Sequence, residues 1–469
     1  MRQTNFALAL FAAAALSACG GSDNNNSSPT PAKPVFASQV SFGDSLSDVG
    51  TYRVGAIAAL GGGKYTINGN NVAINAALHG KNWTELVAAQ MGLAAPCPAV
   101  TGLNGVALQG FSVPAVKNPA CTSYAQGGSR VTNPIGPGNI ATGTSVGQLT
   151  YPVVAQVADH LQRTGGSFKA TDIVYVMAGG NDALILLGGL TAAATAAGSA
   201  EGAKVGAQTF VKSLSTKLGA GATNPAAATT AIATAMATEA ARAGSTSQTL
   251  VGVAVQTAAT QPGNGAVGSV AVYGPMVQAA QAEANTAGAA AGAAAGAAYA
   301  SANGPALVPQ MAQAGAELAA LVKSQIVGKG ATHVVVLNLP DLASSPNGKA
   351  QSASAQQLIA GMVSGFNIAL RTGLDGLDDK VLYVDVATVS ADQVANPGKY
   401  GISNALVPAC STDSTKNRLG GTSLVCNATN LIAGDVSKYL FADSVHPAPY
   451  GQTLIAKLVA ESLTARGWL

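Results

Sequence analysis

The stretch Val40-Ser41-Phe42-Gly43-Asp44-Ser45-Leu46-Ser47-Asp48-Val49-Gly50 organises the reading of this 469-residue chain. An apolar run followed by a small polar turn reads as a strand that carries Ser45 to its tip, with a loop and short helix behind it over 48–60. A serine leaving a strand and entering a helix has its hydroxyl exposed, and its backbone N–H points toward whatever binds there. That geometry suits a nucleophile. Because serines also cap helices, the reading depends on partners elsewhere in the chain.

Working outward, residues 38–42 form the first strand. Residues 61–80 are rich in Gly and Asn and read as loop, and 83–91 has helical spacing with Trp83, Leu86, Val87 and Met91 on one face. Residues 96–120 are loop-like with a short strand at 105–108, and 147–163 reads as an amphipathic helix. The runs 172–178 (DIVYVMA), 333–339 (HVVVLNL) and 381–386 (VLYVDV) are continuously apolar, as strands covered on both faces are. Helices precede the last two, one carrying Met311, Leu318, Val322 and Ile326, the other over 358–370. Alternating strands and helices predict an α/β chain with a doubly wound parallel sheet.

Between 188 and 306 the composition changes to Ala, Gly, Ser and Thr with few charges, including a GAAAGAAAG run over 288–296. Alanine favours helix, and small residues at every fourth position let helices approach closely. Asn224-Pro225 and Gln261-Pro262-Gly263 break the segment. It reads as a helical insertion; a mobile low-complexity excursion and a membrane-inserted hairpin are the alternatives. The expected organisation is a leader over 1–18, a tether over 19–38, a first catalytic part over 39–187, the insertion over 188–306 and a second part over 307–469.

Four motifs occur in order: Gly43-Asp44-Ser45-Leu46, Tyr124-Ala125-Gln126-Gly127-Gly128, Gly179-Gly180-Asn181-Asp182 and Asp443-Ser444-Val445-His446-Pro447. The chain resembles the GDSL family of SGNH hydrolases, and 334–342, 366–370 and 396–404 resemble its bacterial outer-membrane and secreted esterases. The resemblance implies a three-layer, flavodoxin-like fold with a central parallel sheet, and it covers most of the chain outside the tether and the insertion. Ser123 stands where the family usually carries Asn.

The residues themselves make the same assignment coherent. A serine hydroxyl needs an adjacent base, and the base needs an orienting group. His446 lies in a polar turn three residues after Asp443, a spacing that lets the carboxylate reach Nδ1 and hold Nε2 toward Ser45. The developing oxyanion needs donors, supplied by the N–H groups of Ser45 and Gly128 and the side-chain amide of Asn181. His79, His160 and His333 read as structural, Asp44 as a brace of the turn, and Asp385 has no assigned role. Gly143-Thr144-Ser145-Val146-Gly147 fits a nucleophile elbow by letters, but that motif needs a strand before it and a helix after it. Prolines and glycines surround it instead.

Arg2, the apolar run 6–16 and Leu16-Ser17-Ala18-Cys19 resemble a bacterial lipoprotein leader, which implies lipidation of Cys19 and an outer-membrane destination. Residues 20–34 (GGSDNNNSSPTPAKP) have almost nothing to bury. The remaining cysteines, Cys97, Cys121, Cys410 and Cys426, are even in number in an exported chain, which favours disulfides. Of three connectivities the proximity pairing, Cys97 with Cys121 and Cys410 with Cys426, is preferred. With 24 basic and 21 acidic residues and a net charge of +3, no basic face points to nucleic acid.

Together these features give a serine esterase or lipase that needs no cofactor and no metal. It would act on lipid or hydrophobic esters at the cell envelope, with the insertion as a lid or side wall. Phospholipase or lysophospholipase action and polysaccharide O-deacetylation are alternatives, as is a surface lipoprotein that keeps the fold without catalysis.

Overall fold

The computed structural model describes residues 33–69 and 80–469. The leader, Cys19, most of the tether and His79 lie outside the described residues. The strands, in chain order, are β1 (Ser38–Gly43), β2 (Val100–Asn104), β3 (Ser112–Lys117), β4 (Asp172–Met177), β5 (Val334–Leu337) and β6 (Val381–Val384). β2 and β3 pair as an antiparallel hairpin. The others form one parallel sheet in the order β1-β4-β5-β6, with Val40 beside Val174, Val174 beside Val334, and Val334 beside Val381.

A short segment runs along the outer edge of β1: Ser41 N–H donates to the Thr122 carbonyl, and Tyr124 N–H donates to the Ser41 carbonyl. Counting that segment, the sheet runs 2-1-3-4-5 in chain order. Such sheets bind ligands in the crevice outside the carboxyl ends of their strands, where the order reverses. Here that crevice lies beyond β1 and β4, the strands that lead into Ser45 and Asn181.

The helices are α1 (Gly55–Ala59), α2 (Trp83–Gln90), α3 (Val153–Arg163), α4 (Gly180–Gly219), α5 (Pro225–Ala240), α6 (Ser247–Ala259), α7 (Val270–Asn303), α8 (Leu307–Leu321), α9 (Pro346–Lys349), α10 (Ala353–Gly373), α11 (Val386–Ala395) and α12 (Pro449–Arg466). Successive strand residues face opposite ways, and both faces are covered. Val40, Phe42, Val174, Val176, Val334 and Val336 pack with α3, α8 and α10. Ile173, Tyr175, Met177, Val335 and Leu337 pack with Trp83 and Val87 of α2 and with Val459 and Leu463 of α12. This double burial is why these strands read as unbroken apolar runs.

Three local expectations are corrected. Residues 105–108 are not a strand: the chain turns there between β2 and β3, with Gly110 in the left-handed region (φ +76°). The helix expected over 147–163 starts only at Val153, because Pro152 caps it in an extended conformation and restricts the residue before it. Ser45 does not enter a helix. It sits on a turn closed by Ser47 N–H donating to the Asp44 carbonyl, and α1 begins ten residues later. Asp44 and Asp48 side chains take the N–H groups of Leu46, Gly50 and Thr51, offering the backbone an alternative to helix.

The Ala-rich segment is helical among its described residues, but it does not begin at 188. α4 runs unbroken from Gly180, so the cleft residues Asn181, Leu184 and Leu187 share one helix with it, about 60 Å long at helical rise. By length and composition α4 could cross a membrane. In this fold its glycines face α7: a Cβ on Gly198 or Gly202 would lie 2.6 or 2.8 Å from the carbonyl oxygen of Gly292 or Gly288. Asn224 caps α5 with Pro225 at its first position, and Pro262-Gly263 follow α6. Leu214, Leu218, Ile232, Met236, Ala254 and Ala280 close the far end. The disulfides are Cys97–Cys121 and Cys410–Cys426, the proximity pairing.

Candidate active site

Beyond the carboxyl ends of β1, β4 and β5 lies a cleft of about 220 Å³. Ser45, Tyr65, Gly128, Asn181 and His446 line it, with Leu184, Leu187, Leu339, Leu342 and Ile359 as apolar walls. Ser45 is 8% exposed. Its Oγ lies 2.8 Å from Nε2 of His446, across 401 residues of sequence.

On the other side of the ring, Nδ1 lies 2.8 and 2.9 Å from the two carboxylate oxygens of Asp443. Asp443 also accepts the backbone N–H groups of Val445, His446 and Ser423. Burial alone would raise its pKa. The adjacent His446 ring and these hydrogen bonds outweigh burial and hold the carboxyl well below its ordinary range. A carboxylate kept ionised beside Nδ1 places the proton there and leaves Nε2 free to take one from Ser45.

The candidate oxyanion donors converge on the same cleft. Neither the Ser45 nor the Gly128 backbone N–H has a hydrogen-bond partner among the described residues. Gly128 holds φ +80°, and a Cβ there would lie 2.2 Å from the Pro137 carbonyl oxygen, so only glycine fits. Asn181, in the first turn of α4, donates through Nδ2 to the Ser129 carbonyl, which fixes its amide and leaves the second amide hydrogen for the cleft.

Residues to which the sequence reading gave no functional role hold this arrangement together. The Asp48 carboxylate accepts N–H groups of Gly50, Thr51 and Gly127, tying the Ser45 loop to the Gly128 loop. Gln156 of α3 clasps both backbone groups of Gly43 and donates to Ser129 Oγ. Asp182 accepts from Arg130 Nε and Val131 N–H, anchoring the segment after Gly128. Burial raises the carboxyl pKa of Asp48 and of Asp182, and hydrogen bonds oppose it in both. Tyr65 packs its ring on His446. An isolated Asp or Tyr carries no spacing signal, so only the neighbourhood of the four motifs could have pointed to them.

The other candidates sit elsewhere. His160 is buried in α3, stacked on Phe168 with Nδ1 3.3 Å from the Tyr124 hydroxyl, and burial lowers its pKa to about 4. His333 packs between Phe36 and Trp468. Asp385 caps α11 through Thr388 N–H and accepts from Asn338. Ser145 lies in the loop after a single 3₁₀ turn, with no strand before it. Ser123 accepts a hydrogen bond from Ser41 Oγ at 2.9 Å, so a hydroxyl braces that edge. The described residues hold no group of three or more His, Cys, Asp or Glu side chains placed to bind a metal.

A mixed α/β fold with a parallel sheet thus presents a serine, a histidine and an aspartate in hydrogen-bonded sequence at its carboxyl edge. No family model matches the chain. Over part of its length it is similar to a GDSL esterase/lipase of Arabidopsis thaliana, 34% identical over 84 residues that cover 18% of this chain and 22% of that one. It is similar to the esterase EstA of Pseudomonas aeruginosa, 33% identical over 141 residues covering 29% and 20%. A further similarity, 34% over 160 residues covering 33% and 25%, is to an uncharacterized protein in the trpE-trpG intergenic region of Pseudomonas putida. The chain therefore spans a quarter or less of the length of these relatives. Distant relatives with these names support the GDSL family, and an ester hydrolase, at partial coverage.

Proposed function

We propose that the protein is a serine esterase acting through an acyl-enzyme on lipid or other hydrophobic carboxylic esters. The single observation that carries this reading is the contact of Ser45 Oγ with His446 Nε2, extended through Nδ1 to a buried, ionised Asp443. Ser45 attacks the ester carbonyl while His446 takes its proton and Asp443 stabilises the resulting imidazolium. The N–H groups of Ser45 and Gly128 and the Asn181 amide receive the oxyanion, each worth about 10²–10³ in rate. His446 then protonates the departing alcohol. Water enters and attacks the acyl carbon as it gives a proton to His446; the bond to Ser45 Oγ breaks, His446 returns the proton to that oxygen, and the acid leaves. Every catalytic group in these steps belongs to this chain.

The apolar walls of the cleft support a hydrophobic ester over a sugar acetate. The envelope setting is part of the proposal, and the leader-like residues 2–19 with Cys19 support it. Labelling with a fluorophosphonate probe tests the chemistry: wild type is labelled and hydrolyses a panel of short, long and phospholipid esters, and Ser45→Ala does neither. A wild type that resists the probe and cleaves no ester returns the reading to a non-catalytic lipoprotein. Incorporation of radiolabelled palmitate, lost in Cys19→Ala, tests the anchor.

A further inference from the structure

Beside the cleft lies a second cavity of about 50 Å³, bounded by the turn after β5, by α11, by the loop 440–447 and by the start of α12. Val386, Val389, Leu440, Phe441, Leu454 and Leu458 make its walls. Five residues line both spaces: Leu46, Pro340, Leu342, Ser345 and Val445. Two of them, Leu46 and Val445, directly follow Ser45 and directly precede His446. The cavity is therefore divided from the reacting hydroxyl by a wall one side chain thick, built on the catalytic residues' own neighbours.

Protein interiors are close-packed with few voids larger than a water molecule, so a connected apolar space of about 50 Å³ is more than ordinary core packing leaves. Empty apolar cavities stay dry and take apolar guests. Most polar groups on the lining are already committed. Asp341 Oδ1 caps the N–H groups of Ala343 and Ser344, Ser345 Oγ bonds Leu342 and Gly348, and Ser390 Oγ bonds Ala387 and Asp341. Gln393, 6% exposed, keeps an amide without a hydrogen-bond partner among the described residues. Among the described residues no basic side chain lines the space, so a phosphate or a free carboxylate has no counter-ion there.

We propose that this cavity receives the first carbons of the ester's acyl chain, with Leu46 and Val445 as its gate; the inference rests on the esterase reading above. Direction follows from the carbonyl carbon. Its oxygen points toward Gly128 and Asn181, on the β1 and β4 side. The leaving oxygen stays over His446 Nε2, in the open cleft. The remaining substituent, the acyl chain, runs toward the β5 and β6 side, where the cavity lies.

The test measures kcat/KM of the full chain on p-nitrophenyl esters from acetyl to dodecanoyl, and on octyl acetate. Val389→Trp fills the cavity, and the ratio of octanoyl to acetyl kcat/KM falls at least about tenfold, since single methylene mismatches already discriminate on that scale. Leu454→Ala enlarges it and moves the optimum to longer acyl chains, which keeps the proposal testable if the tryptophan variant does not fold. An unchanged acyl-chain profile in folded, probe-labelled variants overturns the chain site and leaves the esterase reading standing. A ratio that falls for octyl acetate and not for octanoate overturns the assignment to the acyl side. A wild type that is neither labelled nor active on any ester overturns the esterase reading, and the chain site with it.

Discussion

The ring of Tyr65 lies 4.8 Å from the ring of His446, inclined by 39°. Tyr65 is 5% exposed, and its hydroxyl is buried without a hydrogen-bond partner among the described residues. Burial holds the phenol well above its ordinary pKa, so it stays neutral beside the imidazole. An aromatic face of this kind steadies a ring and favours it when it becomes a cation. Tyr65 is thus a positioning residue for His446.

Two substitutions separate the ring from the hydroxyl. Tyr65→Leu removes the face and is expected to lower kcat about tenfold, the equivalent of one aromatic contact of about 1.4 kcal/mol. An unchanged kcat in a folded Tyr65→Leu variant would show that the ring face does not position His446. Tyr65→Phe keeps the face, retains kcat, and raises the melting temperature by removing a buried hydroxyl that costs about 1–3 kcal/mol unpaired.

Asp443 binds the ring and three backbone N–H groups, so Asp443→Asn tests orientation more than volume. The substituted side chain would offer an amide to Nδ1, the ring would turn its other tautomer to Ser45, and kcat is expected to fall about 10⁴-fold. Stability follows the depressed pKa of the aspartate. Its contribution is full above the ordinary carboxylate value of about 4 and fades as pH falls through the lower folded value. Wild type and Asp443→Asn should therefore differ most in urea midpoint near neutrality and converge in strong acid.

The parallel sheet was legible because both-face burial writes itself as apolar runs, and 172–178, 333–339 and 381–386 each contain an observed strand. The Ser45, Asn181 and His446 segments were legible because each joins a strand end or a polar turn to a chemistry-bearing residue. The GAAAGAAAG run pointed to a close helix contact through its four-residue spacing, one of three readings the segment allowed, and Gly288 and Gly292 do pack on Gly202 and Gly198. The β2–β3 hairpin was not legible: residues 112–117 are mostly exposed, and an exposed strand has no inward stripe. The start of α4 at Gly180 was missed because Gly179-Gly180-Asn181-Asp182 has turn composition. Burial of Asn181, Asp182 and Ala183 overrides that local preference.

Asp44 adjoins the nucleophile and lines the cleft, and its carboxyl accepts the Leu46 N–H. Burial, chiefly, raises its pKa to about 7; the Leu46 N–H and His446 oppose burial and Asp182 adds to it. A carboxyl whose folded pKa exceeds its unfolded value holds more protons folded than unfolded, so stability falls as pH rises from about 4 to about 7. Asp44→Asn removes that penalty. The variant should gain on the order of a few kcal/mol over wild type at pH 8 and little at pH 4, read from urea midpoints at both pH values. Equal differences at the two pH values would show that folding leaves the Asp44 pKa at its ordinary value.

Two effects compete at Gly288. Alanine is the better helix former by about 1 kcal/mol, yet a Cβ there would lie 2.7 Å from the Gly202 carbonyl oxygen and 3.3 Å from the Gly206 Cα. Separating two packed backbones costs about 1–3 kcal/mol, so packing wins and Gly288→Ala should lower the melting temperature. Gly252, exposed on α6 with nothing within 4 Å of a Cβ, carries only the propensity term, and Gly252→Ala should raise it. Hydrogen exchange locates the change: in Gly288→Ala protection falls along α4 and α7. Two glycine variants of the same sign would mean that α4 and α7 do not meet through their glycines.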